Sequence, residues 1–194
     1  MGNLKWLLIG IAVLLGIYAL LQLRESGYAT PTDRVFPEQA EDIYKVEMRK
    51  DGESLTLEKK DQVWTIVGHD TLSIRDNRIT ALFDKALEVT RETVMTVKAD
   101  NWVKYTVDDS AGTHVVVYDA SGELITHAVF GRSSSDWARN YVRIGEEPEV
   151  YLTDRSIVYQ VSTDPTFWGE TPPEPEPEPA AADSTAVDSA GTEE

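Results

Sequence analysis

Cysteine is absent from the 194 residues. That removes disulfides, thiol catalysis, Cys-based zinc and iron–sulfur sites, and a lipid-modified N-terminal cysteine. A domain of this length holds a core without disulfides, so the absence limits chemistry rather than compartment. Basic residues are also scarce, with 18 Lys and Arg against 34 Asp and Glu and a formal net charge of −16. Eight of those acids and no basic residue fall in 170–194, leaving 26 acidic against 18 basic residues before them. An acidic surface repels phosphate backbones and anionic lipid headgroups, which excludes nucleic acid and peripheral membrane adhesion. No phosphate-binding loop, dinucleotide fingerprint or G-x-S-x-G nucleophile elbow occurs.

What is present begins with one apolar run. Seventeen of the eighteen residues from Trp6 to Leu23 are apolar or Gly, the exception being Gln22. As a helix the run reaches about 27 Å, against roughly 30 Å of bilayer hydrocarbon. It has no polar face, which sets it apart from a soluble core helix. It is expected to be a single-pass signal-anchor, with Trp6, Leu7, Leu14 and Leu21 among its lipid-facing residues. Lys5 precedes the run, and Glu25 offsets Arg24 behind it, so the N-terminus is expected in the cytoplasm and the rest outside it. The small pair Gly27 and Ala29 leaves cleavage after Ala29 as an alternative. Either way the remainder of the chain is exported, to the periplasm where the cell has an outer membrane.

Residues 25–42 carry two prolines and little periodicity and read as a spacer. An α+β domain is expected over 43–168. Ile43–Met48, Leu55–Lys59 and Gln62–Val67 alternate around Asp51-Gly52 and Lys60-Asp61, the pattern of an antiparallel meander. From Asp76 to Thr90 the period changes. Ile79, Leu82, Phe83, Ala86 and Leu87 fall on one helical stripe, with Asp76 as expected N-cap. Thr93–Val97 returns to strand. A second meander follows through Thr113–Asp119, Glu123–Phe130, Asn140–Ile144 and Glu149–Asp154, then a short helix over Arg155–Val161. Both halves run strands and then helix, which suggests an internal repeat. From 169 the chain becomes acidic and Pro-rich. Alternating Pro and Glu favours an extended polyproline II rod, and the remainder lacks the apolar content to fold, so a disordered tail is expected.

Candidate chemistry is sparse. His114 and His127 lie in neighbouring expected strands and can approach each other, but two histidines without a carboxylate at matching spacing make a poor metal signature. They read as exposed strand histidines. No metal and no cofactor is expected. Ser133, Ser134 and Ser135 lack a histidine and aspartate at any recognised spacing, so a serine hydrolase is the minority reading and the chain is expected not to be an enzyme. Arg132 and Arg139 flank the serines and suit an anion. Trp137 sits in the same polar loop, where an exposed indole anchors a partner or stacks on a sugar. Arg132, Ser133, Trp137 and Arg139 are therefore the candidate contact residues. Trp64 shares a strand face with Ile66 and suits burial, while Trp168 suits a contact closing the domain.

Three stretches, LTLEKKDQVWTIV, IRDNRITALFDKALEVTRETVMTV and GELITHAVFGRSSSDWARNYVRIGEEPEVYLTD, carry a resemblance over roughly Val46 to Trp168. The chain resembles the domain-of-unknown-function family numbered four-three-four-zero. Leu57-Glu58-Lys59 with Trp64, Phe130-Gly131, Tyr141-Val142-Arg143 and Val150-Tyr151-Leu152 match it best. Where members often carry Tyr-Gly-Leu, this chain has Tyr105-Thr106-Val107. The resemblance implies an N-terminal membrane anchor, an exported α+β region and association with the auxiliary subunit of a gliding-type ABC export system. It brings no catalytic residues. The expected function is thus an extracytoplasmic accessory protein acting by protein–protein contact, with the bilayer and ABC transporter components as partners. A ligand- or glycan-binding module is the alternative.

Overall fold

The alternating residues fold into hairpins whose turns explain their registers. A computed structural model describes residues 33–37 and 39–172. Strands β1 (Lys45–Lys50) and β2 (Glu53–Lys60) pair antiparallel around Asp51 and Gly52. Both turn residues have positive φ, 51° and 82°, as a tight two-residue hairpin turn requires. Strand β3 (Val63–Ile66) follows across Asp61 and Gln62, also at positive φ. Gln62 is therefore a turn residue rather than the first residue of a strand.

The remaining strands are β4 (Ser73–Ile74), β5 (Arg91–Thr96), β6 (Thr113–Tyr118), β7 (Leu124–Arg132), β8 (Asn140–Ile144), β9 (Val150–Thr153) and β10 (Gly169–Glu170). Eight of them form one antiparallel sheet in the order β3-β2-β1-β6-β7-β8-β9-β5, and β4 pairs with β10. The two expected meanders are thus halves of a single sheet, joined where β1 pairs with β6.

The fold is mostly antiparallel sheet with a few short helices. No long helix forms among the described residues. Helix α1 covers Asp76–Ala81 and widens into a π-helical segment, Leu82–Ala86, ending well before Thr90. Leu87 N–H bonds to Leu82 C=O at 2.9 Å, a five-residue step that turns both leucines into the core. The apolar stripe is real, since Leu82, Ala86 and Leu87 are buried and Ile79 and Phe83 pack against them. Asp76 is the first helical residue, not the cap; Arg75 occupies that position without a side-chain capping bond.

The second expected helix is also displaced. Residues 155–161 form irregular turns, in which Asn140 Oδ1 accepts the Ile157 and Val158 N–H groups and ties the segment to β8. Helix α2 lies later, at Pro165–Trp168, where Asp164 accepts a bond from Thr166 N–H and Pro165 opens the turn.

One face of the sheet buries Val46, Met48, Leu57, Val115, Val117 and Phe130 beneath α1, the 155–161 segment and Trp168. Val35 and Phe36 belong to this core, so the stretch read as spacer contributes to the domain. The opposite face holds a smaller cluster of Tyr105, Val107, Val129, Tyr141 and Val150 under the short 3-10 turns Ala99–Asn101 and Val103–Tyr105.

The Trp6–Leu23 run and the tail beyond Pro172 lie outside the described residues. Among the described residues no helix is long and apolar enough to cross a membrane.

Candidate functional site

The β7–β8 connection is where the sequence places its candidate residues, and a cleft of about 350 Å³ opens there. Arg132 ends β7, and the loop 133–139 forms one wall. The other wall is Ser156, Val158 and Tyr159 from the irregular segment. Arg132, Ser133, Trp137 and Arg139 all line this one cleft.

They do not play equal parts. Trp137 is 80% exposed and Tyr159 is 58% exposed. Two large rings in water at one cleft carry a standing hydrophobic cost that a bound partner would relieve. Arg139 is already engaged, by Glu92 at 2.9 Å and Asp136 at 3.3 Å. Arg132 has no carboxylate partner among the described residues, and its guanidinium lies 5.3 Å from the Tyr159 ring centroid. The expected pair of anion-binding arginines is therefore reduced to one.

Ser133 is buried and serves the loop. Its Oγ accepts the Asp136 N–H at 3.1 Å and lies 3.4 Å from Ser135 Oγ and 3.5 Å from Tyr141 Oη. None of these neighbours is a general base, and no histidine lines the cleft. Ser156 Oγ, by contrast, is buried with no hydrogen-bond partner among the described residues.

The loop is held in place from beneath. Gly131 lets the Tyr105–Thr106 backbone come so close that a Cβ there would lie 2.0 Å from the Tyr105 carbonyl oxygen. Thr106 is left-handed, φ 53° and ψ 35°, a conformation that favours Gly and strains a β-branched residue. Its Oγ1 accepts the Arg132 N–H at 3.1 Å and donates to the Tyr105 carbonyl at 2.7 Å. Thr106 thus couples this turn to the rim of the cleft.

A family model described as a domain of unknown function, DUF4340, matches residues 64–192. The chain belongs to this family. Neither the curated proteins nor the solved structures compared with it contain a match. The DUF4340 match opens inside β3 and omits β1 and β2, yet β1 sits mid-sheet between β2 and β6. The folded unit of this DUF4340 protein therefore exceeds the matched segment.

A second cluster lies on the opposite sheet face, around a polar cleft of about 540 Å³. His114 Nδ1 and His127 Nε2 are 3.0 Å apart, and His114 Nε2 is 3.1 Å from the Asp109 carbonyl. A carbonyl only accepts, so His114 carries its proton on Nε2 and takes the His127 Nε2–H at Nδ1. Burial pushes both imidazoles below their ordinary value of 6.5, with Arg49 and Arg143 adding repulsion. The expected approach of the two histidines occurs, but His114 is buried rather than exposed. Among the described residues no group of three or more His, Asp or Glu side chains is arranged to hold a metal.

Beside this pair the Arg143 side chain is fully buried. It donates to the Val107 carbonyl at 2.8 Å, to the Gly145 carbonyl and to the Asp109 carboxylate, and lies 4.1 Å from the Trp102 ring centroid. Sequence reasoning passed over Arg143, Tyr159 and Ser156. A lone charge in the strand NYVRI was the available signal for Arg143. Nothing local marks Tyr159, which reaches the cleft only because Asn140 pins its segment.

Proposed function

We propose that this protein is a membrane-anchored, extracytoplasmic accessory protein that works by protein–protein contact at the Trp137–Tyr159 cleft. The observation that carries the reading is the pair of exposed rings beside Arg132. Interface anchors combine such rings with an arginine and bury them centrally. The apolar run Trp6–Leu23 supports the anchor and the extracytoplasmic side. An ABC-type transport assembly as the partner follows from the family resemblance. A non-catalytic role fits the structural engagement of Ser133 and the absence of a histidine from the cleft lining.

The finer architecture belongs to the same reading. The protein is a single-pass chain, and its sheet derives from an internal repeat. The antiparallel β1–β6 pair, from which a meander runs outward on each side, supports the duplication.

The test is gentle solubilisation of full-length protein from its native membranes, followed by identification of co-purifying proteins for wild type and W137A. Transporter subunits retained by wild type and depleted at least about tenfold by W137A are expected, the loss of one anchor contact of ~1.4 kcal/mol or more. Equal recovery by both would remove the cleft from the contact. Trp137 beside Arg132 also supports a second reading, a ligand- or glycan-binding module, because an indole face stacks on a sugar and a guanidinium takes its carboxylate. That reading predicts W137A-sensitive binding of acidic envelope glycans by purified protein.

A further inference from the structure

The proline- and glutamate-rich tail and the cleft have complementary chemistry. We infer that the chain's own segment Pro173–Pro179 docks in the Trp137–Tyr159 cleft, so that the contact site is covered in cis until a partner displaces it. The inference rests on the reading of this cleft as a contact site.

The first argument is shape. Polyproline II segments bind aromatic-lined grooves because the pyrrolidine rings fit between flat side chains and the backbone is already ordered. Trp137 and Tyr159 supply two such rings, one from each wall, with Val158 beside Tyr159. A polyproline II backbone leaves its carbonyls without internal partners. Ser156 Oγ, buried without a partner among the described residues, is a hydroxyl that can donate to one.

The second argument is charge. The segment reads Pro-Glu-Pro-Glu-Pro-Glu-Pro, so positions three apart present one proline and one glutamate on the same edge, about 9 Å apart. That edge pairs a ring contact with an anion for Arg132. The residues before 170 carry 26 acids against 18 basic residues, an excess that makes most of the surface repulsive to the tail. Arg139 is neutralised locally, which leaves Arg132 as the cleft's own attraction.

The third argument is tethering. Glu170 is held by Arg75 at 3.2 Å, and the described chain ends at Pro172. Five residues earlier, Phe167 shares a cleft with Val158 and Tyr159, which also line the Trp137 cleft. Seven residues of polyproline II add about 22 Å of reach from Pro172. A short tether holds its end at an effective concentration on the order of 1 mM, so a contact of only ~100 μM in trans is ~90% occupied in cis.

The experiment uses full-length protein in nanodiscs, labelled with 5-fluorotryptophan, with the Trp137 resonance assigned by its loss in W137F. It is compared with a chain ending at Pro172. Deleting 173–194 is expected to move the Trp137 resonance while the other tryptophan resonances stay in place. A synthetic peptide of Pro172–Pro179 added to the shortened chain should restore the position with a Kd near 100 μM. In the full chain R132E should mimic the deletion, and E174K/E176K/E178K should rescue R132E. Partner recovery should rise about tenfold on tail deletion, because only ~10% of the cleft is open in cis. An unchanged Trp137 resonance on deletion overturns the inference. So does a change that the peptide does not reverse, which places the tail elsewhere, or one that vanishes on dilution, which assigns the docked tail to a second copy. If W137A loses the partner while tail deletion leaves Trp137 unmoved, the contact reading stands and the docking falls. If the tail docks but W137A keeps every partner, the reverse holds.

Discussion

Thr106 sets a left-handed backbone directly under the cleft rim, held by two bonds from its own hydroxyl. Replacing it by Ala or by Gly removes both bonds, but only Gly also relieves the backbone, by about 1 kcal/mol. T106G is therefore expected to be more stable than T106A by about that amount in urea denaturation. Equal midpoints would show that the turn is not strained. The histidine pair belongs to the same scale. His114 and His127 are faced by Arg49 from β1, Asp109 from the loop before β6, Arg143 from β8 and Glu146 from the following turn. Their folded-state values are depressed below 6.5, so between those values and 6.5 the unfolded chain binds more protons. The pair's contribution is complete above about pH 6.5 and is lost as the pH falls toward the depressed values. The denaturation midpoint should drop between pH 7.5 and 5.5, and H114Q/H127Q should flatten that slope. A wild-type midpoint indifferent to pH over this range would contradict the assignment of neutral imidazoles.

At the scale of elements, the 155–161 segment is a wall of the cleft without being a helix or a strand. Asn140 makes it one, since its buried amide accepts from Ile157 and Val158 and donates to the Gly131 carbonyl at 3.1 Å. N140A leaves two N–H groups without their acceptor at a cost of roughly 2–3 kcal/mol. The same change should loosen Tyr159 and weaken whatever binds the cleft, which Asn140 helps to line. Hydrogen exchange should show the 157–160 amides opening earlier in N140A than the amides of β6 and β7. Uniformly unchanged protection would mean that the segment is held by its apolar contacts alone. The π-helical widening at Leu82–Ala86 works similarly, because burying both Leu82 and Leu87 decides where α1 ends.

For the whole molecule, the sheet order makes residues before the matched family segment indispensable. β1 lies between β2 and β6 and contributes Val46 and Met48 to the core, while β2 contributes Leu55 and Leu57. A chain begun at Trp64 would expose the β6 edge and the apolar face beneath it. It is expected to lack a cooperative thermal transition, while a chain begun at Asp33 keeps one. A cooperative transition in the shorter chain would show that β6–β9 and β5 suffice.

The eight strands of the main sheet, the two-residue turn at Asp51-Gly52, the apolar stripe of α1 and the clustering of candidates at 132–139 are readable in order along the chain, whereas β4 and β10 are not. Each depends on residues within a few positions of one another, where alternation, period and turn chemistry act. The burial of Val35 and Phe36, the union of two meanders at β1–β6 and the Asn140 clamp were decided by contacts across long stretches of chain. Local pattern could not see that Asn140, a strand away, holds the 157–158 backbone in turns where a short helix is expected. It also could not see that Glu92 and Asp136 neutralise Arg139 while Arg132 keeps its charge for the cleft. Sequence determined which residues were available for contact, and tertiary structure decided which remained open, because burial and charge pairing depend on neighbours that only folding supplies.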